Sequence, residues 1–182
     1  TIKLGSQLFS PFALRGLELS NRTVVSPMCE YSAVQGNAQD WHLMDLGQFA
    51  TSGIGLVIAE ATAVEARGRI THGCLGLWSD DNEEALARVL HFCRQHGQAK
   101  LGLQLAHAGR KASTHRPWEG RHPLANAEGA WETVSSASNP HDAHWHTPKL
   151  MDQVELDTVR DAFVEATRRA ERLGVDVIEV HG

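Results

Sequence analysis

The chain has 182 residues, 42% of them hydrophobic, and a formal net charge of -5. That size suits one compact domain or part of a larger one. The acidic balance without a lysine/arginine cluster argues against nucleic acid as a partner, and no apolar run approaches the ~20 residues of a membrane-spanning helix.

The opening, "TIKLGSQLF", has neither a charged-then-apolar leader nor an initiating methionine, so a trimmed start is expected. "FALRGLELS" (12–20) reads as a small hairpin around Gly16, and "RTVVS" (22–26) as a first buried strand ended by Pro27. In "WHLMDLGQFATSG" (41–53), Leu43, Leu46 and Ala50 recur at helical spacing, with Asp40 as the cap and Gly53 as the stop. "LVIAEA" (56–61) is a continuous apolar strand, followed by the loop "VEARGRITHGCLGLWS". The next helix, "DDNEEALARVLHFCRQHG" (80–97), opens on an Asp80-x-x-Glu83 pattern, carries the stripe Leu86, Val89, Leu90 and Cys93, and stops at Gly97.

"KLGLQLAH" (100–107) predicts a third strand. The polar stretch 108–150 then holds four of the six prolines and shows no pattern of its own, as in loops that carry function or lack order. The most regular helix is "DQVELDTVRDAFVEATRRAERLG" (152–174), with Leu156, Val159, Phe163, Ala166, Ala170 and Leu173 on one face, Asp152 with Glu155 at its start and Gly174 at its end. "VDVIEV" (175–180) is a fourth strand. Cys29, Cys74 and Cys93 are odd in number and widely spaced with no CxxC, which speaks against a disulfide framework or a zinc knuckle and for a reducing cytoplasm.

Buried strands alternating with amphipathic helices mean a parallel α/β sheet, either doubly wound or a (β/α)8 barrel. Pro27-Met28-Cys29 stands where a dinucleotide-binding fold would carry its glycine-rich turn, which removes the main signal for the open sheet. A complete barrel takes ~250 residues. Residues 1–182 therefore read as the N-terminal half of a TIM barrel, with the hairpin and about the first four strands.

Active groups of a parallel barrel gather at the C-terminal ends of its strands. Those ends are Ser26 to Tyr31, Glu60-Ala61, Gln104 to His107 with Gly109-Arg110-Lys111, and His181. Cys29 alone reads as an ordinary small buried residue. Gln104 is an amide in a strand otherwise of Leu and Gly, and a buried amide needs partners for its donors and its acceptor, so it is read as ligand-facing. His107 is balanced between a loop anchor and a functional group. Asp176 and Glu179 are read as facing helix cations. His141, His144 and His146 offer a metal reading, but no strand delivers them, so no metal site is assigned. The aromatic, charged "HRPWEGRHP" (115–123) reads as a lid or an interface.

Five segments in order, "LFSPFALRGLELSNRTVVSPMCEYS", "AEATAVEARGRIT", "GLWSD", "LQLAHAGRKAS" and "GVDVIEVHG", resemble the Old Yellow Enzyme family of FMN-dependent ene-reductases. Cys29 after Pro27-Met28, with Tyr31 two residues on, is similar to the thermophilic-like branch, and "KASTHRPWEG" to the xenobiotic reductases within it. The likeness runs from Leu8 to the last residue and is weakest over 120–148. It implies that Ser26, Pro27, Met28 and Cys29 line FMN, that Ala61 packs at the ring, and that Gln104 binds its pyrimidine edge. By the same likeness, Tyr31 and His181 reach the substrate carbonyl. The implied reaction is NADPH- or NADH-driven reduction of an alkene activated by a carbonyl or nitro group.

The same resemblance places the second carbonyl-binding residue, the proton-donating tyrosine and the phosphate site beyond Gly182, so no catalytic residue is assigned within the chain. A C-terminal half-barrel polypeptide is the expected complement, and self-association the expected assembly. The rival readings are a non-catalytic half-barrel module and a metal-dependent barrel hydrolase using His144 and His146.

Overall fold

A computed structural model describes residues 6–182; the first five residues of the stretch read for a leader lie outside them. Two short antiparallel strands, β1 (Phe12–Leu14) and β2 (Leu17–Leu19), form the expected hairpin. A four-stranded parallel sheet follows, made of β3 (Val24–Val25), β4 (Leu56–Ala63), β5 (Lys100–Ala106) and a last strand at Val177–Val180. Its helices are α1 (Asp40–Thr51), α2 (Asp80–His96) and α3 (Gln153–Arg172). Between β5 and α3 the parallel pair β6 (Val134–Ser135) and β7 (Lys149–Leu150) forms, so the last strand is β8.

The sheet order is β3-β4-β5-β8, which is chain order with no reversal. A doubly wound sheet needs a reversal, whereas a barrel does not. One apolar cluster joins Val57 and Ala59 of β4 and Leu101, Leu103 and Leu105 of β5 to Leu46, Leu86, Val89, Leu90, Ala166 and Ala170 of the three helices. The helices thus cover one face of an arc, and the other face is left to the site.

Local chemistry sets the helix starts, and it corrects two expectations. Gln39, not Asp40, caps α1, and Asp40 lies in the first turn. Ser79, not Asp80, caps α2: its hydroxyl accepts the Asn82 N–H at 3.2 Å. A serine hydroxyl reaches that N–H directly, and Asp80 is left to pair with Arg169 at 2.7 Å. Arg169 and Arg172 both also grip Glu83 at 2.7 Å, which ties α3 to the start of α2. Asp152 caps α3 as expected, accepting the Glu155 N–H at 2.9 Å.

Other expectations change with the packing. β3 is only two residues long and Val24 is 49% exposed, because β3 is an edge of the sheet. β8 is the other edge, and Val180 is 67% exposed. Leu156, placed on the buried face of α3 by its spacing, is 44% exposed; burial on that helix is confined to Ala166 and Ala170 near its end. The segment 108–150 is not structureless. Besides β6 and β7 it holds short 3-10 turns at Gly109–Lys111, Pro117–Glu119 and Asn126–Glu128, and it buries Ala112, Leu124 and Val134.

Leu103, 1% exposed at the centre of the sheet, is the core test. Leu103→Ala is expected to lower unfolding free energy by about 2–5 kcal/mol, while Glu84→Ala on the exposed face of α2 stays within about 0.5 kcal/mol. Urea denaturation of the two variants measures the difference.

Candidate active site

At the carboxyl ends of the strands lies a cavity of about 360 Å3. Cys29 reaches it from the turn after β3, Ala61 and Ala63 from β4, Gln104 and Ala106 from β5, and His181 from just beyond β8. The sheet register explains the convergence. Ala61 pairs with Gln104 and Gln104 with Glu179, so neighbouring strands present these positions at one level. Of the residues singled out from the sequence, Cys29, Ala61, Gln104 and His181 share this lining. Ser26, Pro27 and Met28 lie outside it, and Met28 is 56% exposed. Tyr31 lines an adjoining cavity of about 270 Å3, which shares Ile70 and Lys111 with the first.

Gln104 donates one amide N–H to Glu179 at 2.8 Å, which leaves its carbonyl and second N–H for another partner. Glu179 therefore faces Gln104 rather than a helix cation, because the register sets the two side chains opposite each other. Asp176 is also corrected: it accepts the Leu101 N–H at 2.9 Å and meets Lys100 of β5 at 3.4 Å. The Cys29 thiol is pushed up to about 12, first by burial and then by the negative charge of Glu60. It is a neutral thiol at physiological pH. Burial likewise pushes the Tyr31 phenol up to about 12.

Loop residues complete the walls. His107 accepts the Gly109 N–H at Nδ1 (3.0 Å), so Nε2 carries the proton and donates it to Glu65 at 2.8 Å. His107 is thus a loop anchor that also lines the cavity. The segment after β5 is pinned by the Trp131 indole N–H on the Arg67 carbonyl at 3.0 Å and by Thr114 on the Ile70 carbonyl. His146 spends Nε2 on the Leu124 carbonyl at 2.9 Å, and His141 packs edge-on against Trp145, so both histidines serve loop structure. Trp118 packs edge-on against Tyr31 with ring centroids 6.1 Å apart.

Two groups carry no role in the sequence reading. Arg69 lines the cavity with its guanidinium about 5 Å from the rings of both Trp78 and Trp131. It lies in "ARGRIT", in the loop that follows β4, and that loop's place at the carboxyl end of a strand was the available signal. The second group is Glu30, His42 and Glu60, whose ligand atoms all lie within 4.8 Å of one another. His42 precedes Leu46 and Ala50 by one and two helical steps, so its place on the buried stripe of α1 was readable.

Burial pushes the Glu30 carboxyl up to about 7 from its ordinary 4.5. The folded chain thus holds a proton there that the unfolded chain has released, and this contribution to stability falls as pH rises from 4.5 through 7. Glu30→Gln removes that slope. Its melting temperature relative to the parent is expected to rise between pH 5 and pH 8, as thermal unfolding at the two pH values will measure.

Known proteins resemble the chain in sequence and in fold. Residues 7–182 match the NADH:flavin oxidoreductase / NADH oxidase family. The chain is 40% identical over 180 residues to NADH:flavin oxidoreductase FG08077 of Gibberella zeae, covering 97% of this chain and 43% of that protein. It is 38% identical over 179 residues to an NADPH dehydrogenase of Geobacillus sp. strain WCH70, covering 97% and 48%. Among solved structures, morphinone reductase superposes with a TM-score of 0.80 at 25% identity over 96% of this chain and 47% of its own. An Old Yellow Enzyme from Pichia sp. AKU4542 shares the fold with the same TM-score of 0.80 at 21% identity, over 96% and 45%. The chain spans about half the length of each, and its sheet is part of a TIM barrel. Matched over nearly its whole length, the chain belongs to the NADH:flavin oxidoreductase / NADH oxidase family.

Proposed function

We propose that residues 1–182 supply the N-terminal half of an FMN-dependent ene-reductase barrel that uses NADPH or NADH to reduce alkenes activated by a carbonyl or nitro group. The observation that carries this reading is the convergence of Cys29, Ala61, Gln104 and His181 on one cavity. The site fits a flat heteroaromatic ring. Alanines at 61, 63 and 106 leave room and an apolar wall, and Gln104 keeps a free carbonyl and N–H for a ring edge with alternating donors and acceptors. Its volume lies within the range of small-ligand sites.

Hydride transfer between a nicotinamide and an activated alkene is the chemistry that FMN supplies when bound. The chain's own residues bind and orient. Gln104, steadied by Glu179, holds the ring edge. Cys29 presents an uncharged thiol, which places no anion against the ring. Ser26, Pro27 and Met28 lie outside the cavity lining and would meet the ring only through the backbone that leads to Cys29. His181 donates a hydrogen bond to the substrate's carbonyl or nitro oxygen, and Tyr31 orders the substrate from the adjoining cavity. A fixed donor of this kind favours charge growing on that oxygen and holds the alkene at reacting distance.

The second oxygen-binding residue and the proton donor belong to the C-terminal half of the barrel, which also covers the open edges at β3 and β8. The working protein is a self-associating assembly in a reducing cytoplasm, in keeping with three free cysteines. No helix among the described residues is long and apolar enough to cross a membrane.

The full-length protein is expected to be yellow, with flavin absorption bands, and to oxidise NADPH or NADH in the presence of cyclohexenone. A colourless full-length assembly without this activity overturns the reading and favours a non-catalytic barrel. Gln104→Leu deletes the ring-edge bonds and leaves Glu179 without its donor, a loss of ~1.4 kcal/mol or more. Flavin retention, read by fluorescence titration, should weaken by about tenfold.

A further inference from the structure

The β4–β5 register slips by one residue between Ala59 and Ala61, which leaves Glu60 as the extra residue of a β-bulge. Bulges re-aim a side chain, and they gather beside active sites. This one sends a carboxylate into the interior, where Glu60 is 2% exposed. A buried carboxylate is costly unless hydrogen-bonded, and each oxygen of Glu60 has a donor. Oε2 accepts the backbone N–H of Glu30 at 3.2 Å, and Oε1 lies 3.1 Å from Nε2 of His42. The imidazole can play only one part in that contact. Its Nδ1 accepts the Gln39 N–H at 2.9 Å, so the ring proton sits on Nε2 and is donated to Glu60. Thr62 closes the bulge from within, its hydroxyl donating to the Glu60 carbonyl at 2.8 Å.

The carboxylate ends on the turn that carries Cys29 and Tyr31. Tyr31 sits at φ 51°, a left-handed conformation that is strained for a non-glycine residue. The far side of the turn is held by Ala33 N–H on the Gly73 carbonyl at 2.9 Å, and a side chain at Gly73 would collide with the Tyr31 carbonyl. With Glu60 on one side and Gly73 on the other, the turn has one place to sit.

We propose that Glu60, oriented by His42, is a positioning residue for this site: its carboxyl group, bonded to the Glu30 N–H, fixes the turn that bears Cys29 and Tyr31. The placement of Cys29 beside a flavin rests on the proposed function above; the anchoring of the turn does not. The charged and titratable groups around the carboxylate are His42 from α1, Glu30 from the turn, Asp45 of α1 beside Glu30, and the thiols of Cys29 and Cys74.

The test uses the full-length protein and two readouts that need no catalysis. The first is the rate of Cys29 alkylation by iodoacetamide at one fixed pH, read by peptide mapping so that Cys74 and Cys93 do not interfere. Glu60→Gln has one acceptor oxygen where the carboxylate has two, so the turn loosens and the Cys29 rate is expected to rise by about threefold or more. Leu86→Ala, a core variant away from the site, should lower stability and leave the Cys29 alkylation rate where it was. A Glu60→Gln rate equal to the parent's, with only the melting temperature lowered, overturns the anchoring of Cys29.

The second readout is hydrogen exchange of the Glu30 amide in the parent protein, which stays informative if Glu60→Gln does not fold. A protected Glu30 amide supports the anchoring; exchange as fast as in an open loop overturns it. A parent that binds no flavin counts against the proposed function alone, because both readouts remain measurable.

Discussion

The pairing of β4 with β5 is the constraint on which the molecule depends. These two strands are covered on one face by all three helices, and they supply the middle of the cavity floor on the other. Their parallel register decides which residues stand side by side: Leu103 beside Ala59 toward the helices, and Gln104 beside Ala61 toward the cavity. Parallel strands buried on both faces leave no side for arbitrary polar groups. The buried polar side chains of these strands, Glu60, Thr62 and Gln104, are each tied to a named partner.

Much of this was readable from residues alone. The helical stripes of α1 and α2 and the apolar runs of β4 and β5 carry periodicity strong enough to assign both type and order. The cluster at the strand ends follows from topology, since a parallel barrel brings carboxyl ends together whatever the loops do. What escaped the reading depends on contacts distant in sequence. The Ser79 cap differs from the Asp80 reading by one residue, because either side chain suits the position and only backbone geometry chooses. The bulge at Glu60 cannot be seen in "LVIAEATA", where one residue too many looks like a longer strand. Glu179 reads as the partner of a helix cation until the register sets it against Gln104.

The electrostatics of the site share one theme. Among the described residues, the carboxylates near the cavity have donors or are held toward their neutral form by burial. Glu65 takes His107 and Arg67, Glu179 takes Gln104, and Glu60 takes His42 and the Glu30 backbone. Burial pushes both Glu60 and Glu30 toward protonation, and Glu30 has one buried oxygen that lacks a partner. The cations on the same rim, Arg69 and Lys111, have no carboxylate partner among the described residues. Two cations without a carboxylate partner among the described residues thus stand beside the alanines and Gln104 of the cavity.

The fastening of the segment after β5 has a wider meaning. Trp131, Thr114 and His146 all grip main-chain carbonyls rather than side chains. Carbonyl oxygens persist through nearly every substitution, so these three bonds survive mutation of the residues they land on. The tips between them, around Trp118 and His141 to His144, are free to drift in evolution while the barrel mouth keeps its shape. Related enzymes can therefore diverge in what approaches the mouth by exchanging a few exposed side chains, with no adjustment to the strands beneath.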